Sequence, residues 1–176
     1  MALRLGEPKI IERGPDLVVG AYRTFEGDDE GPGWSGASEA FYPRRGEVPT
    51  RVGDAVLGFL YRPHNDHPDV PESVRACFVG VEATDLDHVP EGLSTTRFSG
   101  GKYAILSCTG DTEDEAAMGV GEGVSFLETW AAEQGYREGD ACFALSHEDA
   151  PRPPYVEYVY MKIEDRDPFS RKRTGP

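Results

Sequence analysis

The stretch GLSTTRFSGGKYAIL, residues 92–106, places a Ser-Gly-Gly break between two runs that favour extended backbone. Thr, Phe and Tyr suit a pleated, half-buried surface, whereas glycine reaches backbone angles closed to other residues. A glycine pair at such a point marks a turn, or a bulge where another backbone or a ligand comes close. Both readings stand on local grounds, and the neighbouring segments must decide.

Upstream, LVVGAYRTF at 17–25 is β-branched and aromatic and follows the turn signal RGPD, which predicts an opening strand pair over 9–25. After the Gly- and acid-rich loop EGDDEGPG, WSGASEAFY reads as a short helix. Ser35 is its candidate cap, Trp34, Ala37 and Phe41 fall at helical spacing, and Pro43 ends it. AVLGFLYRP and ACFVGVEAT then read as strands on either side of the polar loop HNDHPDVPE.

Downstream, LSTTRF and KYAILSC are strands, and GDTEDEAA opens a longer helix that ends near EQGY. Val120, Val124, Leu127 and Ala131 form one apolar stripe with Trp130 at its edge, and acidic residues before the first turn complement the helix dipole. Gly119, Gly121 and Gly123 weaken the first two turns. ACFALSHED and VEYVYMKIE close the set as strands joined by APRPP. The second half thus repeats the element order of the first without visible repetition of sequence. One helix per half covers one sheet face, and the other face meets solvent or forms a concave surface with its twin. In VEYVYMKI, alternation sends Val159, Met161 and Ile163 to the helix side and Tyr158, Tyr160 and Lys162 to the open side.

The formal charge of −14 and the acidic pI near 4.6 argue against direct binding of nucleic acid, which needs clustered Lys and Arg. No apolar run approaches the roughly 20 residues that span a bilayer, and MALRLGEPKII lacks the features of a signal peptide. Cys77, Cys108 and Cys142 are odd in number and far apart, which fits small buried thiols in a reducing cytoplasm better than a disulfide frame or a zinc site. A cytoplasmic protein with no membrane association is expected.

Four segments, in order, resemble the GyrI-like, or AraC-type effector-binding, domain family. They are the opening EPKIIERGPDLVVGAYRTF, then VPEGLSTTRFSGGKYAIL, the helix end ETWAAEQGY and the closing strand EYVYMKI. The resemblance implies an α+β fold in which a βαββ module is duplicated in tandem about a pseudo-twofold. Each module would carry an antiparallel sheet and one helix, and a ligand cleft would lie between them. The modules would span about 8–86 and 92–164 of a single domain over 1–165, and 166–176, with its RKR cluster, is read as a disordered basic tail. Members of that family bind lipophilic, often cationic or aromatic compounds. They occur as sensor halves of multidrug-responsive transcription activators, as stand-alone binders, as gyrase-inhibitory proteins and as hydrolases of cyclopropane-bearing natural products. The expectation for this chain is a stand-alone small-molecule binding protein that needs no cofactor. Hydrolysis of strained electrophiles and protein-mediated inhibition of a topoisomerase are the alternatives. No helix-turn-helix segment is left outside the domain, so transcription control would need a separate protein partner.

Carried onto this sequence, the resemblance assigns cleft rings to Phe98 and Tyr103, on either side of the Ser-Gly-Gly break, and to Tyr160 on the last strand, with Tyr22 and Trp34 in the first half. The break would then bend the strand so that both flanking rings reach the groove; ordinary core packing is the alternative for each ring. The family's signature Glu lies in a Phe-Glu-x-Tyr pattern, where this chain reads FALS and so has Ala144. That departure counts against cation recognition or hydrolysis through that position. Glu82 is the candidate replacement for both binding and catalysis. In ACFVGVEAT, alternation groups Val79 and Val81 on the aliphatic face and turns Phe78, Gly80 and Glu82 toward the groove, where aromatic walls would raise a carboxylate pKa. A solvated edge is the plainer reading of Glu82, and Glu157 points to the helix side or the rim.

Three other patterns carry less. His64, Asp66, His67 and Asp69 in HNDHPD have no second cluster to complete a metal site and read as a surface loop. Ser146 to Asp149 spell SHED, but strand neighbours point to opposite faces, which defeats triad geometry. The glycines of GVGEGVSF fall within a helix and not after a strand, unlike a dinucleotide loop.

Overall fold

The computed structural model describes residues 3–61, 74–146 and 153–166. The strands are β1 (Arg4–Leu5), β2 (Lys9–Arg13), β3 (Asp16–Phe25), β4 (Arg51–Tyr61), β5 (Arg75–Ala83), β6 (Ser94–Phe98), β7 (Gly101–Gly110), β8 (Tyr136–Ser146) and β9 (Tyr155–Asp165). The helices are α1 (Gly31–Phe41) and α2 (Glu113–Glu133), and a 3-10 segment, Tyr42–Glu47, follows α1. The fold is α+β, and its core is two βαββ runs: β3-α1-β4-β5 and β7-α2-β8-β9.

The chain divides into two compact units. Among described residues, the first holds 3–14, 100–142 and 153–166, and the second holds 15–61, 74–99 and 143–146. In the first, β7 pairs antiparallel with β9 on one side and with β1 and β2 on the other. Its core joins Ala104, Leu106 and Cys108 of β7 to Val159, Met161 and Ile163 of β9 under Leu127 and Ala131 of α2. Val120, Val124 and Trp130 pack against that core, so the apolar stripe falls where the spacing predicts. In the second, β5 lies antiparallel between β3 and β4, β6 adds to β3, and the end of β8 adds to β4. Its core sets Val19, Ala21, Cys77, Val79, Val81 and Val56 against Ala37 and Phe41 of α1.

Local chemistry explains both helices. At the start of α2, the Thr112 hydroxyl accepts from the Glu115 N–H at 3.1 Å while the Glu115 carboxylate accepts from the Thr112 and Asp111 N–H groups. This is a reciprocal capping box, reinforced by three acids in the first turn. Two of the three glycines that weaken α2 by propensity lie on its packing side: Gly119 and Gly123 are buried, whereas Gly121 is exposed. A methyl group on Gly119 would collide with the Leu3 side chain. α1 begins at Gly31, four residues before the expected cap at Ser35, because Pro32 can occupy a first turn whose N–H groups have no helical acceptor. Asp29 accepts from the Gly31 N–H at 3.0 Å.

β2 and β3 are strands, as expected over 9–25, but they do not pair with each other. β2 pairs with β7, and β3 with β5 and β6. A two-residue hairpin loop needs positive φ at its first central residue at least. Gly14 does not adopt it, and Pro15 fixes φ on the negative side. The Ser-Gly-Gly break is the counterpart on the facing strand. Before the break Arg13 opposes Gly101, and three residues further along each strand Asp16 opposes Phe98. Gly101 takes φ +142°, a conformation that favours glycine, at the residue where β7 begins.

Candidate functional site

In the second unit, strand alternation sorts the side chains into two sets. Val19, Ala21, Cys77, Val79 and Val81 belong to the α1 side. The opposite face carries rings. Phe59 stacks on Phe78 with centroids 4.9 Å apart, meets Phe98 edge-on at 4.8 Å, and Phe98 in turn stacks on Phe143 at 4.8 Å. These are the offset and edge geometries that ring quadrupoles favour. All four rings are buried. The packing depends on a cross-strand glycine pair, Gly20 opposite Gly80. A Cβ at Gly20 would stand 2.6 Å from the Phe78 ring, and one at Gly80 would stand 2.8 Å from it.

Tyr22, Glu82 and Phe98 fall on this ring-bearing face. Tyr22 is half-buried opposite Phe78, and Glu82 is half-buried opposite Val18. The turn of Phe78, Gly80 and Glu82 away from the aliphatic set follows the alternation read from the sequence. Asp16 joins them from the first position of β3. It is 4% exposed, the one buried charged residue among the described residues, and it lies opposite Phe98. Sequence reasoning passed over it, because an Asp after Gly-Pro reads as a turn former; the signal was its even spacing from Val18, Gly20 and Tyr22.

Trp34 and Ala144 belong to the other side of the same sheet. Trp34, on α1, packs over Gly58, where an added Cβ would lie 3.1 Å from its ring. Its indole N–H donates to the Glu30 carboxylate at 3.4 Å. Ala144 is the cross-strand partner of Gly58. Ala144 and Glu82 therefore face away from each other across the sheet.

In the first unit, Ala104, Leu106 and Cys108 take the α2 side, which leaves Tyr103, Ile105 and Ser107 on the helix-free face. Tyr160 is opposite Ile105 and Tyr158 is opposite Ser107, as the alternation of the closing strand predicts. Tyr103 is fully buried, whereas Tyr158 and Tyr160 are half-buried. The Arg13 guanidinium lies over the Tyr160 ring, 5.0 Å from its centroid. An open depression of about 370 Å³ beside these rings is lined by Glu7, Lys9, Ile105, Leu106, Ser107 and Tyr158.

Among the described residues no group of three or more His, Cys, Asp or Glu could hold a metal ion. The HNDHPD loop, His147 and the remainder of SHED, and the 167–176 tail lie outside the described residues. His88 is exposed. GVGEGVSF lies inside α2. All three cysteines are free, with Cys77 and Cys108 buried and Cys142 half-buried. Burial pushes the Cys77 and Cys142 thiols up to about 12 and the Cys108 thiol up to about 11, with nearby carboxylates acting in the same direction. Such thiols are protonated at neutral pH and are poor nucleophiles. Among the described residues, no helix is long and apolar enough to cross a membrane.

No family model and no curated protein sequence matches the chain. Solved structures do share its fold. An integron cassette protein from the mobile metagenome of Vibrio cholerae, VCH_CASS2, aligns with a TM-score of 0.62 at 17% identity, covering 92% of this chain and 99% of that one. SAV2435 bound to tetraphenylphosphonium aligns with a TM-score of 0.62 at 14% identity over 90% of this chain and 94% of its own. A putative bacterial transcription regulation protein from Staphylococcus aureus MU50 aligns with a TM-score of 0.60 at 15% identity over 90% and 98%. At these identities the likeness establishes the fold.

Proposed function

We propose that this protein binds lipophilic, aromatic or cationic small molecules, as a GyrI-like effector-binding protein does. The observation that carries the reading is that each unit lines the sheet face opposite its helix with aromatic rings. In one these are Tyr103, Tyr158 and Tyr160, and in the other Tyr22, Phe59, Phe78, Phe98 and Phe143. Rings of this kind offer large apolar area and attract cations through their faces. In the second unit Tyr22 and Glu82 are half-buried and Phe98 is buried; in the first unit Tyr160 is half-buried and Tyr103 is buried. A neighbour in fold, SAV2435, was solved with a lipophilic cation bound, which makes tetraphenylphosphonium the natural first probe.

A ligand that binds only the folded state raises the melting temperature by mass action, by about 2.7 kcal/mol of stability at one hundred times Kd. The test is a thermal-shift series with tetraphenylphosphonium, a rhodamine dye and neutral triaryl compounds, followed by Trp fluorescence titration of each hit. The expected result is stabilisation by several of them, weakened in Tyr22→Ala or Tyr160→Ala. No stabilisation by any of these compounds at millimolar concentration overturns the reading.

A further inference from the structure

We propose that the open depression on the helix-free face of the first unit is a site for small aromatic anions, carboxylates above all, and that Lys9 recognises their negative group. The proposal goes beyond the reading above: it assigns a separate ligand class to one unit and does not require that a lipophilic cation bind. The depression measures about 370 Å³, within the range of small-molecule sites, and every residue that lines it belongs to this unit. Its floor is the middle of β7, Ile105 to Ser107, and Tyr158 of β9 stands on one side. Glu7 and Lys9 stand on the other side, where the chain is held against β7: the Gly6 N–H donates to the Ser107 carbonyl at 2.8 Å, and Lys9 is opposite Ile105. The depression thus offers an aromatic wall, the Ser107 hydroxyl and the exposed Lys9 ammonium.

The charges around it run against the composition of the chain, which has 18 Lys and Arg against 32 Asp and Glu. Residues directly opposite each other in an antiparallel pair project to the same face. Arg4 is opposite Thr109 and Lys9 is opposite Ile105, so both lie on the helix-free face, while Leu5 packs on the α2 side. Arg13, four residues beyond Lys9, shares that face and lies over the Tyr160 ring. Three cations therefore follow one edge of the sheet beside the tyrosines. Glu7 is the acid in the lining, and among the described residues neither it nor Lys9 forms an ion pair. Charges farther off than about 8 Å are largely screened at physiological salt, so the local cations, and not the formal charge of −14, set the attraction. An anion seated at Lys9 keeps its aromatic body against Tyr158, whereas a cation in the same place meets like charge.

The experiment is an NMR titration of the ¹⁵N-labelled full chain with naphthoate and with naphthamide, its neutral counterpart of similar shape, for wild type, Lys9→Gln and Glu7→Gln. Naphthoate is expected to bind wild type more tightly than naphthamide and to move the backbone N–H signals of Lys9 and of Ile105 to Ser107. Lys9→Gln is expected to weaken naphthoate by about three- to fivefold, the worth of one exposed charge, and naphthamide by less than about twofold. Glu7→Gln removes a like charge and is expected to tighten naphthoate by about twofold. Both residues are exposed, and should Lys9→Gln nonetheless fail to fold, Glu7→Gln and the signal map carry the test. Equal binding of the two compounds to wild type, a naphthoate affinity unaltered in Lys9→Gln, or shifts confined to other residues overturns the proposal. Tetraphenylphosphonium is titrated alongside: its binding without any naphthoate binding at millimolar concentration overturns this proposal and leaves the reading above, and naphthoate binding alone does the reverse.

Discussion

Gly123 of α2 faces Cys108 of β7 so closely that a methyl group on the glycine would stand 2.7 Å from the thiol sulfur. A helix glycine costs roughly 1 kcal/mol relative to alanine when it faces solvent, but here the missing Cβ is what lets helix and sheet meet. Gly123→Ala is therefore expected to destabilise the protein by about 1–3 kcal/mol through overpacking. At Gly121, two residues earlier, an added methyl group would meet nothing within 4 Å, and Gly121→Ala is expected to stabilise by up to about 1 kcal/mol. Urea denaturation of the two variants measures both; equal effects would contradict the packing of α2.

The capping box of α2 makes a second prediction. Thr112→Ala removes the acceptor for the Glu115 N–H and is expected to cost about 1 kcal/mol. Glu115→Ala frees the Asp111 and Thr112 N–H groups and is expected to cost a similar amount. The double variant should lose less than the sum, since each side chain helps to place the other. Strict additivity in a double-mutant cycle would show that the two bonds are independent.

Phe98 is in ring contact with two neighbours and is buried, so Phe98→Ala is expected to cost about 3–5 kcal/mol and to lower the melting temperature sharply. Tyr22→Ala, on the same face but half-buried, should cost markedly less. Comparable losses in calorimetry would mean that Tyr22 is as much a part of the core as Phe98.

The thiols predict an alkaline limit. Their ordinary value is 9.0, and folding raises each of them to about 11 or 12. The folded state thus holds protons that the unfolded chain releases above pH 9. The stability this contributes is complete below that pH and is lost as pH rises through the folded values. The denaturation midpoint should fall from about pH 9 upward, and Cys142→Ala should make the fall shallower. Iodoacetamide should label the folded protein far more slowly at pH 8 than the urea-unfolded chain; equal rates would refute thiol burial.

The division of each sheet into a helix-covered face and a ring-bearing face was legible in strand alternation. Val79 and Val81 separated from Phe78, Gly80 and Glu82 as read, and Val159, Met161 and Ile163 separated from Tyr158 and Tyr160. Asp16 was not legible. Gly-Pro-Asp has the same composition in an exposed turn and at the start of a buried strand, and burial depends on what covers the residue. Trp34, a cleft residue by resemblance, and Ala144, at the position of the family acid, both lie beside Gly58 on the side of α1 within the second unit.

The sequence by itself determined which residues are extended or helical, which faces are apolar, and where α2 is capped. These properties are set within a few residues, by the two-residue period of a strand, the 3.6-residue period of a helix and hydrogen bonds between close neighbours. Only the tertiary structure decided that β2 and β3 part company, that β7 serves β2 while β6 serves β3, and that Gly119 and Gly123 are contact points. Each of those outcomes depends on a partner far away in the chain, and a strand's unpaired N–H and C=O groups carry no mark of which distant strand will satisfy them.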